Sequence, residues 1–271
     1  MRSSGFKLRL IIGVIMAIVA AISYYGKNQV NPLTGEEQHI ALTPEQEVAM
    51  GVQSAPQMAQ EYGGVYQDNE VQQQVKAVGY KIVNQLETEA KSKGVQIPYQ
   101  FDFHVLADNQ TVNAFALPGG QIFITVALLQ RLKSEAQLAG ILGHEVGHVI
   151  HRHSAEQMAK SDFYQGLVGA VATATTDPYS GMGAGQIAQY VAQIQQMKFG
   201  RDDELQSDEF GVKYMIEAGY NPNAMIEVMK ILEEASGGAR QEEFMSTHPS
   251  PENRISQIKE HIAKYGGGKY E

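Results

Sequence analysis

The sequence predicts an α+β fold: a mostly helical domain with a small sheet whose edge strand flanks a central helix, carried behind an N-terminal membrane anchor. Three observations predict it. Apolar residues recur at three- and four-residue spacing through most of the chain, the period shortens to two between Ile97 and Thr125, and an uncharged apolar run follows a basic N-terminus. The 271 residues, 43% hydrophobic, can bury a substantial core. The simplest division is an anchor over 1–27, a tether over 28–42, one domain over 43–265 and a frayed tail over 266–271. The net charge of −9 argues against a nucleic-acid partner, because phosphate binding depends on Lys and Arg. The chain has no cysteine, which excludes disulfides, a thiolate zinc site, a cysteine nucleophile and a lipid-modified cysteine.

Arg2, Lys7 and Arg9 precede 17 uncharged residues, Leu10 to Gly26. This is the short end of what crosses a hydrocarbon core of about 30 Å. Tyr24 and Tyr25 fall where aromatic side chains anchor at the interface, and the charge excess before the run keeps the N-terminus cytoplasmic. A cleaved signal peptide is the competing reading, with small residues Ala21 and Ser23 at suitable spacing. Both readings place the rest of the chain outside the cytoplasm. Asn28 to Leu42 holds turn signals and little periodicity, so it reads as a tether. Thr43, Pro44 and Gln46 form a helix start with a capping box, and Val71, Val75, Val78, Ile82 and Leu86 give a second helix over about 69–93.

Tyr99, Phe101, Phe103 and Val105 alternate with Gln100, Asp102 and His104, which predicts a strand with one buried face. Gln121 to Val126 reads as another. Between them, Asn113, Ala114, Phe115 and Ala116 run into Leu117 and Pro118-Gly119-Gly120. A proline cannot donate to a ladder, so 114–117 should be an edge strand. An open edge with small side chains can receive an extended polypeptide by backbone hydrogen bonding; a plain hairpin is the simpler alternative.

Ser134 to Ser154 reads as one apolar helix with Ser134 and Gln137 as its capping box. It carries His144, Glu145 and His148. Side chains at i and i+4 share a helix face, so the two imidazoles can hold one Zn2+ ion from the same side, with Glu145 beside it as general base. Alone, this five-residue pattern also arises from ordinary buried histidines. His151 continues the same face, but seven residues of helix advance about 10 Å, too far for bonds of about 2 Å. His151 and His153 are therefore expected to line the cleft or cap polar groups.

Phe163 to Gly185 is rich in Gly, Ala, Ser and Thr and suits either a flap or a loosely packed helix with a surface loop; a new helix should begin at Gln186. Glu204 and Asp208 lie at i and i+4, so Glu204 can complete the metal site while Asp208 fixes a histidine by hydrogen bond. Asn221 and Pro222 start a further helix, and Ser250 with Pro251 feeds a last one. His248 and Arg254 are spaced so that both could face the cleft.

Four stretches together resemble a known family, the zinc metalloendopeptidases that include the CAAX prenyl proteases and HtpX-like proteases: 113–120, 144–153, 201–208 and 247–250. The resemblance runs from about Thr43 to Tyr265. It implies a zincin-like domain in which His144, His148 and Glu204 bind one Zn2+, Glu145 is the catalytic base, Asp208 supports a ligand, and Asn113, Ala114, Phe115 and Ala116 receive polypeptide substrate. It further implies that His248 stabilises the developing oxyanion or caps the metal at rest, with Arg254 as its companion. Ser207 departs from the alanine common in the family. One apolar segment, where prenyl proteases have several, points to the soluble-domain, extracytoplasmic branch, hence the bacterial periplasm and protein quality control. A membrane-tethered chaperone with a metal site of low turnover is the rival. An exopeptidase is a weaker one, since no site for a free terminus is visible.

Overall fold

The computed structural model of the chain describes residues 2–40, 42–175, 199–236, 243–249 and 253–270. Helix α1 (Arg2–Tyr25) includes Lys7–Tyr25, among the described residues the one stretch long and apolar enough to cross a membrane. Its Leu10, Ile11, Ile15, Val19 and Ile22 side chains are exposed. One side lies along α6 (His153–Thr175), where Tyr24 stacks on Phe163 with ring centroids 4.9 Å apart.

The segment expected to be a tether is folded. β1 (Asn28–Val30) and β2 (Glu37–His39) pair antiparallel, Asn28 opposite His39. Such a short hairpin is marginal by itself, and its polar residues show no period because its stability comes from docking elsewhere. Asn31 Nδ2 donates to the Ile150 carbonyl at 2.7 Å and Gln38 Nε2 to the His151 carbonyl at 2.5 Å. The end of a helix leaves its last carbonyls without partners, and these buried amides supply them.

α2 (Pro44–Glu61) has the expected capping box, with Thr43 Oγ1 accepting from the Gln46 amide and Gln46 Oε1 from the Thr43 amide. α3 (Asn69–Ser92) starts on Asp68, whose carboxylate accepts from the Glu70 and Val71 amides. β3 (Asp102–Leu106), β4 (Ala114–Ala116) and β5 (Gln121–Thr125) form a sheet in the order β3-β5-β4, parallel between β3 and β5 and antiparallel between β5 and β4. β4 is thus an edge strand, as Pro118 requires. Gly119 turns at φ 82°, and a β-carbon there would stand 2.3 Å from the Val48 Cα, so the turn can cross α2 only as glycine. Thr125 then caps the short α4 (Val126–Leu129), which takes Val126 out of the strand.

α5 (Glu135–Ile150) is the centre of the molecule, buried at every position from Gln137 to Ile150. Ser134 Oγ accepts from the Gln137 amide as expected, but the Gln137 side chain reaches back to the Lys133 amide instead of completing the box. Ser134–Ser154 is not one helix. It breaks at Arg152, whose φ of 57° is the left-handed region. That conformation costs about 1–2 kcal/mol. The buried Arg152 guanidinium holds it in place by bonding Glu47 through Nε at 2.9 Å, Gln29 Oε1 at 3.0 Å and the Leu42 carbonyl at 2.8 Å.

α6 takes up the described part of the Gly- and Ala-rich stretch; residues 176–198, with the helix expected at Gln186, lie outside the described residues. α7 (Arg201–Glu217) crosses α5, and α8 (Asn223–Ser236), α9 (Glu243–Thr247) and α10 (Arg254–Gly266) follow. Ser250 and Pro251 also lie outside the described residues. The tail is not frayed as far as Tyr270, which packs on the core and accepts from Asn223 Nδ2 through its carbonyl at 3.1 Å. α3, the sheet, α5, α7, α8 and α10 share one apolar core.

Candidate metal centre

α5 presents His144 and His148 one turn apart, α7 crosses it with Glu204, and the residue after α9 brings His248 onto the same point. One ligand atom from each of these four lies within 4.8 Å of the other three. His144 Nε2 is 3.0 Å from His148 Nε2, 3.5 Å from Glu204 Oε2 and 3.4 Å from His248 Nδ1. Glu204 Oε1 is 3.4 Å from His148 Nε2 and 2.9 Å from His248 Nδ1. A tetrahedral ion with bonds of about 2.0–2.1 Å would separate its ligands by roughly 3.3 Å, which is near the separations of these pairs. The two imidazole nitrogens make the case chemically. His144 donates its Nδ1–H to Asp208 Oδ1 at 2.9 Å, since a carboxylate only accepts. In the neutral ring, the form that ligates a metal, Nε2 then turns its lone pair toward a second imidazole, an arrangement that a cation between them makes favourable. Nitrogen and carboxylate donors of this number suit Zn2+.

Burial sets the electrostatics. None of His144, Glu145, His148, Glu204 or His248 is more than 2% exposed. Burial disfavours the His144 imidazolium, but the Asp208 and Glu204 carboxylates outweigh it and lift its pKa to about 9 in the metal-free site. Burial pushes His148 well below the ordinary histidine value. It would also raise Glu204, yet His248, Arg254 and the two imidazoles hold that carboxyl well below its usual range. Glu145 is different: burial raises its pKa, and neither of its oxygens has a hydrogen-bond partner. Its Oε1 lies 3.8 Å from His248 Nε2. A desolvated carboxylate with no hydrogen bond to either oxygen is well suited to take a proton.

Asp208 stands where the spacing placed it, behind His144. Arg254 is buried against the carboxylates of the site. Its Nε bonds Asp208 Oδ2 at 2.5 Å, its Nη2 bonds Asp208 Oδ1 at 2.8 Å, and its Nη1 lies 3.0 Å from Glu204 Oε2. The guanidinium neutralises the two buried carboxylates. His248 belongs to the group of possible ligands itself. Asn113, Ala114 and Ala116 are buried, Phe115 is half-buried between Tyr62 and Phe123, and β4 packs on α5.

The helix breaks between His151 and His153, whose rings still stack with centroids 5.3 Å apart but whose nitrogens take different partners. His151 Nδ1 lies 2.9 Å from Glu36 Oε2, away from the ligand atoms, whereas His153 Nδ1 lies 2.9 Å from His148 Nδ1. Sequence reasoning missed Phe199, which stacks on the His148 ring at 4.1 Å and approaches His248 at 5.1 Å. One phenylalanine before an acidic helix is a weak signal. It also missed Glu36 and Gln206, whose partners are far away in sequence.

The family model described as Peptidase family M48 matches residues 70–262. Among curated relatives, the beta-barrel assembly-enhancing protease of Yersinia pestis is 28% identical over 236 residues, which is 84% of this chain and 46% of that protein. The protein of the same name in Escherichia coli is 29% identical over 195 residues, 69% of this chain and 38% of its own length. The mitochondrial metalloendopeptidase OMA1 of Schizosaccharomyces pombe is 34% identical over 163 residues, 59% of this chain and 46% of that protein. The chain spans less than half the length of these relatives.

Proposed function

The chain belongs to peptidase family M48, and from that premise we propose that it is a zinc metalloendopeptidase acting on polypeptides outside the cytoplasm, tethered to the membrane by α1. The observation that carries the proposal is the set of four buried donor residues whose ligand atoms lie within 4.8 Å of one another, beside Glu145, a buried carboxylate without a hydrogen-bond partner. His144, His148 and Glu204 would hold the zinc, with Asp208 and Arg254 fixing the ligands. Zinc bound this way supplies a Lewis acid that lowers the pKa of water to about 7 and polarises a carbonyl. Glu145 takes the proton of the attacking water and returns it to the amine of the departing peptide. With His248 in the ligand group, a water at the fourth position would require that side chain to move aside.

Edge strand β4, running past α5, can align an extended substrate by adding a strand on its open side, independent of side-chain sequence. Asn113, Ala114, Phe115 and Ala116 are the residues assigned to that contact. The basic residues in the first turns of α1, Arg2, Lys7 and Arg9, favour a cytoplasmic N-terminus, which puts the domain in the periplasm of a bacterium. The names of the relatives, a beta-barrel assembly-enhancing protease and a mitochondrial metalloendopeptidase, support a role in quality control of membrane-associated proteins. One observation favours a second reading, a chaperone of low turnover: His248 closes the ligand set in this conformation.

The test is Glu145→Gln in the full chain in detergent. Zinc content should stay at one ion per chain while casein cleavage falls about 10²–10⁴-fold. Full activity in the metal-loaded variant overturns the base assignment. Terminal-peptide mass spectrometry of a protein mixture, with and without chelator, separates the two readings, because a chaperone yields no new termini in either arm.

A further inference from the structure

A chain of hydrogen bonds leads from the juxtamembrane hairpin to a metal ligand. Glu36, in the β1–β2 connection, accepts from Gln206 Nε2 through Oε1 at 2.6 Å. Its Oε2 accepts from Thr34 Oγ1 at 3.0 Å and lies 2.9 Å from His151 Nδ1. Gln206 Oε1 is 2.9 Å from His153 Nε2, and His153 Nδ1 is 2.9 Å from His148 Nδ1. Ser207 Oγ is 3.4 Å from that same His153 nitrogen.

The direction of every bond in this chain follows from its end. A carboxylate has only acceptors, so Gln206 must turn its NH₂ to Glu36 and its oxygen to His153. His153 then donates from Nε2, which in a neutral imidazole leaves Nδ1 as the acceptor. His148 must donate to it from Nδ1, and its remaining lone pair, on Nε2, points at the other ligand atoms. Asp208 does the same for His144 directly. Each ligand imidazole is thus tied to a carboxylate, one by a single bond and the other through two intervening side chains.

We propose that Glu36, acting through Gln206 and His153, is a positioning residue for His148, so that the hairpin after the membrane helix is a functional part of the metal centre. The proposal rests on the zinc site described above. The hairpin lies outside residues 70–262, the part that matches the family, and it is fixed to the active-site helix at the right place. Asn31 and Gln38 bind the carbonyls of Ile150 and His151, and Arg152 binds Gln29. These bonds hold Glu36 at a set height beside Gln206.

The experiment compares wild type, Glu36→Gln and Gln206→Met in the full chain in detergent. Glu37→Gln, an exposed neighbour on the same hairpin, is the control. The probes are zinc alone, in competition with a fluorescent chelator, and the visible spectrum of the cobalt-substituted protein. Glu36→Gln keeps the size of the side chain but no longer dictates which group Gln206 presents. Zinc affinity should fall about 10–100-fold in Glu36→Gln and Gln206→Met, with a changed cobalt spectrum, while the metal-free proteins melt like wild type and Glu37→Gln binds as wild type does. Gln206→Met breaks the chain at its middle and decides the matter if Glu36→Gln misfolds. Wild-type affinity and spectrum in both variants overturn the proposal and leave the metal site standing. A wild-type protein that binds no zinc overturns both.

Discussion

Gly147 meets Ser207 backbone to backbone: a β-carbon on the glycine would stand 2.9 Å from the serine Cα and 3.1 Å from its carbonyl oxygen. One turn earlier, Gly143 faces Gly211 with 3.2 Å to its Cα. Packed helices usually keep their axes about 8–10 Å apart, and two glycines on the α5 face put this pair at the close end. The close crossing lets the short side chains of Glu204 and Asp208 reach imidazoles on the neighbouring helix. The packing of α5 on α7 and the geometry of the metal centre are therefore one feature.

Gly147→Ala should injure both. The atoms it meets are backbone, which cannot rotate away, so the helices must part. Overpacking of this kind costs about 1–3 kcal/mol, which is about 2–4 °C in melting temperature per kcal/mol for a domain of this size. Calorimetry of the metal-free protein should show the loss, and chelator competition should show weaker zinc binding. A variant that melts and binds as wild type does would mean that the helices are not in contact here.

Asp208→Asn tests the link between Asp208 and His144. The amide keeps the shape but loses the charge, and it can offer a donor to a nitrogen that already donates. Arg254 is left buried with Glu204 as its remaining counter-charge, Nη1 lying 3.0 Å from Oε2. Breaking a buried pair costs about 3–5 kcal/mol, and the surviving carboxylate should hold the loss near the lower end. Urea unfolding should show that loss, and zinc affinity should fall about 10–100-fold. Unchanged zinc binding would remove Asp208 from the ligand support.

What could be read from the sequence was local. The spacing of His144 and His148, and of Glu204 and Asp208, follows from helix geometry, and Pro118 with Gly119 and Gly120 marks β4 as an edge. What escaped depends on partners far along the chain. Arg152 breaks the helix because Glu47, Gln29 and Leu42, each more than 100 residues away, hold its guanidinium. The 28–42 segment looks like a tether because its hairpin is stabilised by α5 carbonyls. Spacing brings Arg254 toward the site, but the two buried carboxylates that hold it, Asp208 and Glu204, lie on another helix.

Glu89 gives a prediction about pH outside the metal centre. It joins α3 to α7 by accepting from Tyr214 Oη at 2.7 Å and Lys93 Nζ at 2.6 Å, and it bonds the Lys213 ammonium. Burial alone would raise its pKa, but Lys213, Lys93 and Tyr214 outweigh that and hold it at about 2. The folded value lies below the unfolded one, so this contribution is present above about pH 4.5 and is lost as pH falls toward 2. For a partly exposed group it amounts to at most about 1 kcal/mol. Glu89→Gln should lower the neutral-pH melting temperature by about 2–4 °C, with the gap closing in acid. A gap that stays constant down to pH 2 would assign the loss to packing.

His248→Ala decides what the fourth corner does. The ring is held at its corner by Glu204 Oε1 on one side and by stacking on Phe244 at 4.5 Å on the other. If His248 occupies the place that substrate water needs, its removal leaves three protein ligands and an open position, the pattern of catalytic zinc sites. Zinc should then bind more weakly while casein cleavage per loaded chain rises. If His248 instead serves the developing oxyanion, cleavage per loaded chain should fall about 10²–10³-fold. The two roles predict opposite signs, so one pair of measurements, zinc content and turnover, separates them. The observed geometry favours the rise, because a nitrogen 3.4 Å from His144 Nε2 and 2.9 Å from Glu204 Oε1 is placed as a ligand.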